Sequence, residues 1–224
     1  MNKNIKLALL GGDARQSCLA RFLAEHGYET AAWGMSDSGC LGGAVRCRDP
    51  MSAMASASAV ILPLPASLDG VTLNSENEER IKLHSILEYT EAPVFGGRLS
   101  EGFRLAASAR KRKVIDYFES EALQIKNALP TAEGAISIAM QNLSRTLVGA
   151  RTAVVGYGRI GRTLADLLLR LGASVTVAAR NEIQLAYAQN SGAKTVNIGN
   201  GKREWAFAEK YDVIFNTVPA RIFE

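Results

Sequence analysis

Histidine and cysteine are scarce in this chain of 224 residues. It holds two histidines, His26 and His84, and three cysteines at positions 18, 40 and 47. No Cys-x-x-Cys spacing and no histidine cluster accompanies them, so we expect reduced structural thiols and no metal site. With 47% hydrophobic and 7% aromatic residues, the composition is that of a globular protein and excludes a disordered scaffold.

Long apolar runs and an excess of one charge are also absent. No run reaches the roughly 18 residues of a membrane-spanning helix. The apolar run before Gly11 is too short for a signal peptide, so we expect a cytoplasmic protein with no membrane partner. The net charge of +4 is only mildly basic, and we interpret the densest cationic patch, 110–113, as a solvated helix end rather than a nucleic-acid site.

Strand-like and helix-like segments alternate along most of the chain. Short apolar runs predict parallel strands, at 6–10, 29–33, 59–65, 93–97, 113–117, 152–155, 174–179, 194–197 and 212–216. Such alternation is typical of the α/β class, in which helices cover both faces of a parallel sheet. We therefore predict two doubly wound, Rossmann-like domains.

A helical stretch separates the two strand-helix series. We predict a first domain over 1–120 that binds substrate, a helical connector over 121–148, and a nucleotide-binding domain over 149–224. Pro130 is expected to break the connector into two helices, with Thr131 as the N-cap of the second. This would place a helix N-terminus beside Thr131 and Glu133.

The sharpest motif is the G-x-G-x-x-G sequence at 156–161. It follows an apolar strand and opens a helix, the context in which this motif binds a dinucleotide. Gly156 permits the tight turn, Gly158 allows the main chain to approach a pyrophosphate, and Gly161 allows the helix to pack on the strand. We predict that these glycines, with Arg159 and Ile160 between them, bind the cofactor.

The end of the next strand favours NADP over NAD. An NAD site usually places Asp or Glu about 20 residues after the glycines, where it bonds the ribose 2′-hydroxyl. Here the strand runs into Arg180, whose guanidinium suits a 2′-phosphate. A later strand ends at Asn216, Thr217 and Val218, which we predict to line the nicotinamide side.

The first glycine turn differs from the second. It reads Gly-Gly-Asp-Ala-Arg-Gln at 11–16, without a third spaced glycine, and Asp13 would repel a pyrophosphate. We therefore predict a substrate carboxylate here, bound by Arg15 and the helix N-terminus, with Gly12 and Gln16 beside it. Asp13 would either orient Arg15 or accept a proton; the alternative is a capping Asp beside a surface Arg.

Several further segments resemble the family formed by the A subunit of dipicolinate synthase. These are the opening Gly-Gly-Asp-Ala-Arg-Gln, together with segments at 61–65, 69–72, 95–97, 116–119, 127–136, 156–162 and 216–220. The segment Asn-Ala-Leu-Pro-Thr-Ala-Glu-Gly and the opening turn are the specific ones. The resemblance covers nearly the whole chain, although the family's second domain continues beyond Asn216, so we expect this domain to be incomplete.

The resemblance implies that the chain oxidises dihydrodipicolinate to dipicolinate with NADP, in the mother cell of a sporulating bacterium, and that the B subunit of dipicolinate synthase is its partner. We place the dicarboxylate on Gly12, Arg15 and Thr131, and leave the proton acceptor open between Asp13 and Glu133. A homo-oligomer is also expected, and the apolar strand at 213–215 is either a poorly protected edge or pairs with another subunit. The alternatives are a 2-hydroxy-acid dehydrogenase, which usually needs a catalytic histidine, and a non-catalytic NADP-binding subunit.

Overall fold

The chain folds into two compact units. The computed structural model describes residues 5–35, 41–76, 79–199 and 210–219. The first unit is Met1–Ser120 and the second is Glu121–Glu224. Each is built on a parallel sheet flanked by helices, so the predicted α/β fold of two doubly wound domains is confirmed.

The first unit contains a six-stranded sheet, with every described pair of strands parallel. Its strands are β1 (Lys6–Leu10), β2 (Glu29–Trp33), β3 (Val45–Arg46), β4 (Ala59–Ile61), β5 (Val94–Gly96) and β6 (Val114–Asp116). They lie in the order β3-β2-β1-β4-β5-β6. The order reverses between β1 and β4, and in open α/β sheets ligands bind outside the carboxyl ends of the strands at such a point.

Alternate residues of the central strands enter two separate cores. Ala8 and Leu10 of β1 lie in one buried cluster, whereas Leu9 lies in another on the opposite face. Successive strand side chains point to opposite faces, so an uninterrupted apolar strand must be covered on both sides. The short apolar runs therefore correspond to buried central strands.

The described part of the first unit contains four helices: α1 (Ala14–Glu25), α2 (Pro50–Met54), α3 (Leu83–Tyr89) and α4 (Glu101–Ala109). A 3-10 turn follows β6 at Tyr117–Glu119. The predicted strand over 59–65 is shorter than expected, because β4 ends at Ile61. Pro63 and Pro65 lie beyond it, where the lack of a proline N–H costs no ladder bond.

The second unit contains a four-stranded sheet among its described residues. Its strands are β7 (Arg151–Val155), β8 (Ser174–Ala179), β9 (Lys194–Asn197) and β10 (Val213–Asn216). The order β10-β7-β8-β9 again reverses beside the first strand of the series. Its helices are α5 (Glu121–Asn142), α6 (Arg159–Arg170) and α7 (Glu182–Asn190).

The predicted break at Pro130 is wrong. α5 runs without interruption through Pro130, and Thr131 lies inside it rather than at an N-cap. The Thr131 hydroxyl donates to the Asn127 carbonyl at 2.7 Å, one turn earlier. One face of this helix is buried, and that packing outweighs the bond lost at the proline. Among the described residues, no helix is long and apolar enough to cross a membrane.

Candidate functional site

The glycine turn after β7 is held in shape by the exit of β10. Gly156 has a φ of +90°, and a Cβ there would stand 2.7 Å from the Thr217 hydroxyl oxygen and 2.6 Å from Cγ1 of Val218. Thr217 donates to the Val155 carbonyl twice, from its main-chain N–H at 2.9 Å and from its hydroxyl at 2.8 Å. The reversal point of this sheet is therefore a rigid junction between two strand ends.

The other two glycines of the motif differ in their surroundings. A Cβ on Gly161 would collide with the carbonyl oxygen of Gly156 and lie 3.0 Å from the Thr217 hydroxyl oxygen, so helix and turn are in backbone contact. At Gly158, the N-cap of α6, no described residue has a heavy atom within 4 Å of where a Cβ would stand. The turn is thus closed on its inner side and open at Gly158, where a pyrophosphate would approach.

The first turn of α6 supplies the main-chain donors at this open side. Arg159 and Ile160 are its first two residues, and N–H groups at a helix start lack intrahelical partners. The Arg159 guanidinium is held by Glu121 in a bidentate pair, at 2.8 and 2.7 Å. Arg159 keeps the pKa of the Glu121 carboxyl below its usual value. Sequence reasoning did not find Glu121, because the two residues are 38 positions apart.

The predicted cofactor-specificity residue lies at the end of β8. Arg180 is exposed directly after this strand, and Asn181 caps α7 by accepting from the N–H groups of Ile183 and Gln184. Asn216 ends β10 and is exposed, with its side-chain oxygen accepting from the Val218 N–H at 3.1 Å. All of the residues predicted for the cofactor belong to the second unit, around the carboxyl ends of β7, β8 and β10.

The diglycine turn of the first unit is closed by contrast. The Gly11 N–H donates to the Trp33 carbonyl at 2.7 Å, and the Gly12 N–H donates to the Asn74 carbonyl at 2.8 Å. A Cβ on Gly12 would be 2.9 Å from Cβ of Pro63. Neither N–H is available to a ligand, so the expectation that the Gly12 main chain receives a substrate carboxylate finds no support in this arrangement.

Asp13 and Arg15 form a pair at the start of α1. Asp13 caps the helix by accepting the Arg15 N–H at 3.0 Å, and both of its oxygens accept from the Arg15 guanidinium at 2.7–3.1 Å. This bonding holds the pKa of Asp13 below its ordinary value. Arg15 also donates to the Leu64 carbonyl at 2.9 Å, which links the exits of β1 and β4, yet its side chain remains 64% exposed.

The remaining predicted substrate residues occupy different settings. Gln16 is buried on the first unit, where its amide nitrogen donates to the Ile61 carbonyl at 3.1 Å. Thr131 and Glu133 are exposed on α5 of the second unit. The helix N-terminus that was to bind a carboxylate beside them does not exist, because α5 is continuous. Of the predicted substrate-binding residues on the first unit, Arg15 alone presents an exposed cationic group.

A buried carboxylate missed at the sequence level orders the exits of β5 and β6. Asp116 accepts the N–H groups of Arg98, Leu99 and Phe118 at 3.1, 2.8 and 2.9 Å. Arg104 adds an ion pair at 2.7 Å to the Asp116 side chain, which is only 3% exposed. The one signal in the sequence was an aspartate at the end of an apolar strand.

Both histidines have structural roles. His26 is the C-cap of α1, with its ring nitrogen 2.7 Å from the Phe22 carbonyl. His84 lies on α3 and meets the Phe103 ring edge-on at 6.3 Å. His26 lies at the opposite end of α1 from the glycine turn, whereas His84 lies in the first turn of α3. Among the residues that the structure describes, no three potential ligands form a metal cluster.

Comparison with known proteins decides the family. Residues 6–118 match the model of the N-terminal domain of the dipicolinate synthase A subunit. The chain is 32% identical to the A subunit of dipicolinate synthase from Bacillus subtilis (strain 168), over 99% of its own length and 75% of that protein. The chain belongs to this dipicolinate synthase family. Residues 151–224 also match the model of coenzyme F420-dependent NADP oxidoreductases, so the second unit is similar to an NADP oxidoreductase domain.

Solved structures of this family superpose on most of the chain. The crystal structure of the dipicolinate synthase A chain from Bacillus subtilis has a TM-score of 0.73 at 30% identity, covering 96% of this chain and 73% of that one. The corresponding protein from Bacillus halodurans has a TM-score of 0.76 at 28% identity, covering 96% and 74%. A transhydrogenase from Sinorhizobium meliloti shares the fold at 16% identity and a TM-score of 0.60, over 97% and 71% of the two chains. The family prediction is confirmed. The Bacillus subtilis relative is itself one subunit of an enzyme.

Proposed function

We propose that this chain oxidises dihydrodipicolinate to dipicolinate with NADP as hydride acceptor, as the A subunit of a sporulation enzyme that works with a B subunit. One observation carries the proposal: the two glycine turns are opposite in character. The turn at Gly158 is open to a ligand. In the turn at Gly12 the main-chain N–H groups are already hydrogen-bonded, and the exposed group beside it is the Arg15 guanidinium. A chain with one nucleotide turn and one cationic turn suits a dinucleotide and an anionic substrate.

The residues around Gly158 fit a dinucleotide. The open space at Gly158 admits a diphosphate against the main chain, and the first turn of α6 offers N–H donors to it. Arg180 is assigned to the 2′-phosphate of NADP, since it is exposed at the end of β8 where an NAD site would have a carboxylate. Bound there, the nicotinamide supplies hydride transfer. Asn216 and Thr217 are assigned to the nicotinamide side.

The first unit is assigned to the substrate. The hydrogen bonds of Arg15 to Asp13 and Leu64 use Nε and Nη2, so Nη1 is the nitrogen that can donate charge-assisted hydrogen bonds to a substrate carboxylate. Asp13 already accepts from Arg15 with both oxygens, which makes it a weak base and suits it to hold that guanidinium. The proton released as the ring becomes aromatic is assigned to Glu133, which is exposed and has no ion pair within the described ranges. The turnover of the Glu133→Gln variant should fall if Glu133 accepts this proton, and a turnover assay tests the assignment.

Arg180→Ala should remove the preference for NADP. In the unchanged chain we expect NADPH to bind at least about tenfold more tightly than NADH, because a guanidinium-phosphate contact contributes roughly 1.5–3 kcal/mol. The variant should bind both equally, with NADH affinity unchanged. Quenching of protein fluorescence during titration with each coenzyme measures this. Equal affinities in the unchanged chain would overturn the assignment of NADP.

The reaction itself is tested with the full chain, dihydrodipicolinate and NADP, with and without the B subunit. Formation of dipicolinate is followed by the absorbance of its aromatic ring. Product from the chain alone establishes an enzyme, and product only with the partner establishes a shared site. Arg15→Ala should raise KM about tenfold or more and leave NADPH binding unchanged, because Arg15 lies on the first unit.

Three outcomes would redirect the proposal. No product under either condition, with NADPH still bound, would favour a nucleotide-binding subunit without catalytic groups. Loss of both substrate and NADPH binding in Arg15→Ala would show that Arg15 supports the fold. Oxidation of a 2-hydroxy acid would favour the alternative dehydrogenase.

A further inference from the structure

Arg98 adopts a backbone conformation that arginine rarely takes. Its φ is +55°, in the left-handed region where a side chain costs about 1–2 kcal/mol and a glycine costs nothing. It directly follows Gly96 and Gly97, so a third glycine here would have relieved the strain. Asp116 holds the turn by accepting the N–H groups of Arg98 and Leu99. An arginine therefore occupies a backbone position that favours glycine.

The side chain of Arg98 is exposed and carries no ion pair. Across residues 5–35, 41–76, 79–199 and 210–219, no carboxylate lies within salt-bridge distance of it. The nearby acids are taken by Arg104, which pairs with Asp116 at 2.7 Å and with Glu119 at 2.6 Å. The fork of guanidinium donors on Arg98 therefore remains for a ligand.

The loop that carries Arg98 packs against the loop that binds Arg15. Arg15 donates to the Leu64 carbonyl, and a Cβ on Gly97 would stand 2.6 Å from Cδ1 of Leu64. Gly97 also donates its N–H to the Pro63 carbonyl at 3.1 Å. Arg98 is the next residue. Arg15 follows β1 and Arg98 follows β5, and β4 pairs with both strands, so the two arginines emerge at one sheet edge on either side of the β4 exit.

Two partly buried side chains lie against Gly97, beside the turn that carries Arg98. Leu64 and Tyr117 are half-buried, and a Cβ on Gly97 would stand 2.6 Å from Cδ1 of Leu64 and 3.0 Å from Cε2 of Tyr117. Tyr117 donates its hydroxyl to the Leu62 carbonyl at 3.0 Å, and burial raises its pKa to about 12, so it stays uncharged. The pair supplies uncharged, partly apolar surface between two cations, which suits a flat ring with an acid group on each side.

We propose that Arg98 binds the second carboxylate of a ring dicarboxylate whose first carboxylate is bound by Arg15. This inference rests on the proposed function, and it makes the first unit selective for dicarboxylates over monocarboxylates. The chemistry is charge-assisted hydrogen bonding from two guanidinium groups on one sheet edge. It also explains why an arginine stands at a strained position.

The test compares pyridine-2,6-dicarboxylate with pyridine-2-carboxylate by calorimetric titration of the full chain. The unchanged chain should bind the dicarboxylate about tenfold or more tightly. Arg98→Gly should remove this difference by weakening the dicarboxylate alone, while Tm stays equal or rises because the strain is relieved. Arg98→Asn, which also tolerates the left-handed region, should give the same binding result if the glycine variant folds poorly.

Lys111→Gly is the matched control. Lys111 is also an exposed cation with a positive φ, +53°, but it precedes β6 and so lies at the opposite edge of the sheet. Its removal should leave the ligand preference unchanged. If Arg98→Gly and Arg98→Asn still discriminate as the unchanged chain does, the inference is wrong and the proposed function stands. If the unchanged chain binds neither ligand, the proposed substrate is wrong and this inference falls with it.

Discussion

Gly158→Ala lowers the affinity for NADPH by about 100-fold while leaving the folded second unit intact, if the coenzyme binds as proposed. A methyl group there meets no described atom within 4 Å, and the φ of −77° is one that alanine adopts readily. The same methyl would stand where the diphosphate approaches, and forced overpacking costs roughly 1–3 kcal/mol. Fluorescence titration with NADPH, beside the thermal unfolding of the apo chain, measures both effects.

Gly161→Ala is the matched comparison within the same motif. Its methyl group would collide with the Gly156 carbonyl, a backbone atom that cannot move without opening the turn. We expect this variant to lose about 2 kcal/mol of stability, which lowers Tm by several degrees, and to lose coenzyme binding with it. Unchanged NADPH affinity in Gly158→Ala would show that the diphosphate lies elsewhere.

Asp116→Ala should destabilise the first unit by about 3 kcal/mol. The substitution removes the acceptor of three main-chain N–H groups and the partner of Arg104. The Leu99 N–H is buried, so water cannot replace the lost bond. The turn that carries Arg98 should loosen as well, so dicarboxylate binding should weaken together with stability.

Urea unfolding monitored by Trp33 fluorescence measures this loss, because Trp33 is buried in the first unit. A Trp205→Phe background leaves Trp33 as the single tryptophan of the two in the sequence. Glu119→Gln is the control. It removes only the exposed ion pair to Arg104, which contributes up to about 1 kcal/mol. Equal losses in both variants would show that Asp116 acts as an ordinary surface charge.

Local patterns in the sequence were sufficient for the elements that depend on neighbouring residues. The strands at β1, β2, β8 and β9 have the predicted bounds. Most residues of β1, β2 and β8 are buried, and a buried parallel strand is a largely apolar run that ends at a turn residue. The motif after β7 was also found correctly as a strand-turn-helix unit. Its chemistry lies in six consecutive residues, so no distant contact is needed to see it.

Local patterns failed where packing overrides a local preference. Pro130 predicts a break, yet the buried face of α5 keeps the helix continuous and removes the N-terminus that Thr131 was to cap. The short helices α2 and α3 were missed for a related reason. Each has few residues and takes its stability from the core rather than from helix propensity.

The sequence by itself determined the α/β class, the glycine turn after β7 and the family, since each is carried by short contiguous segments. Only the tertiary structure decided which glycine turn is open, because the distant Asn74 carbonyl closes the first one. Folding likewise brought Leu64 beside Gly97 and Asp116 beside Arg98. Such contacts join residues far apart in the chain, and a single sequence does not encode them in any local pattern.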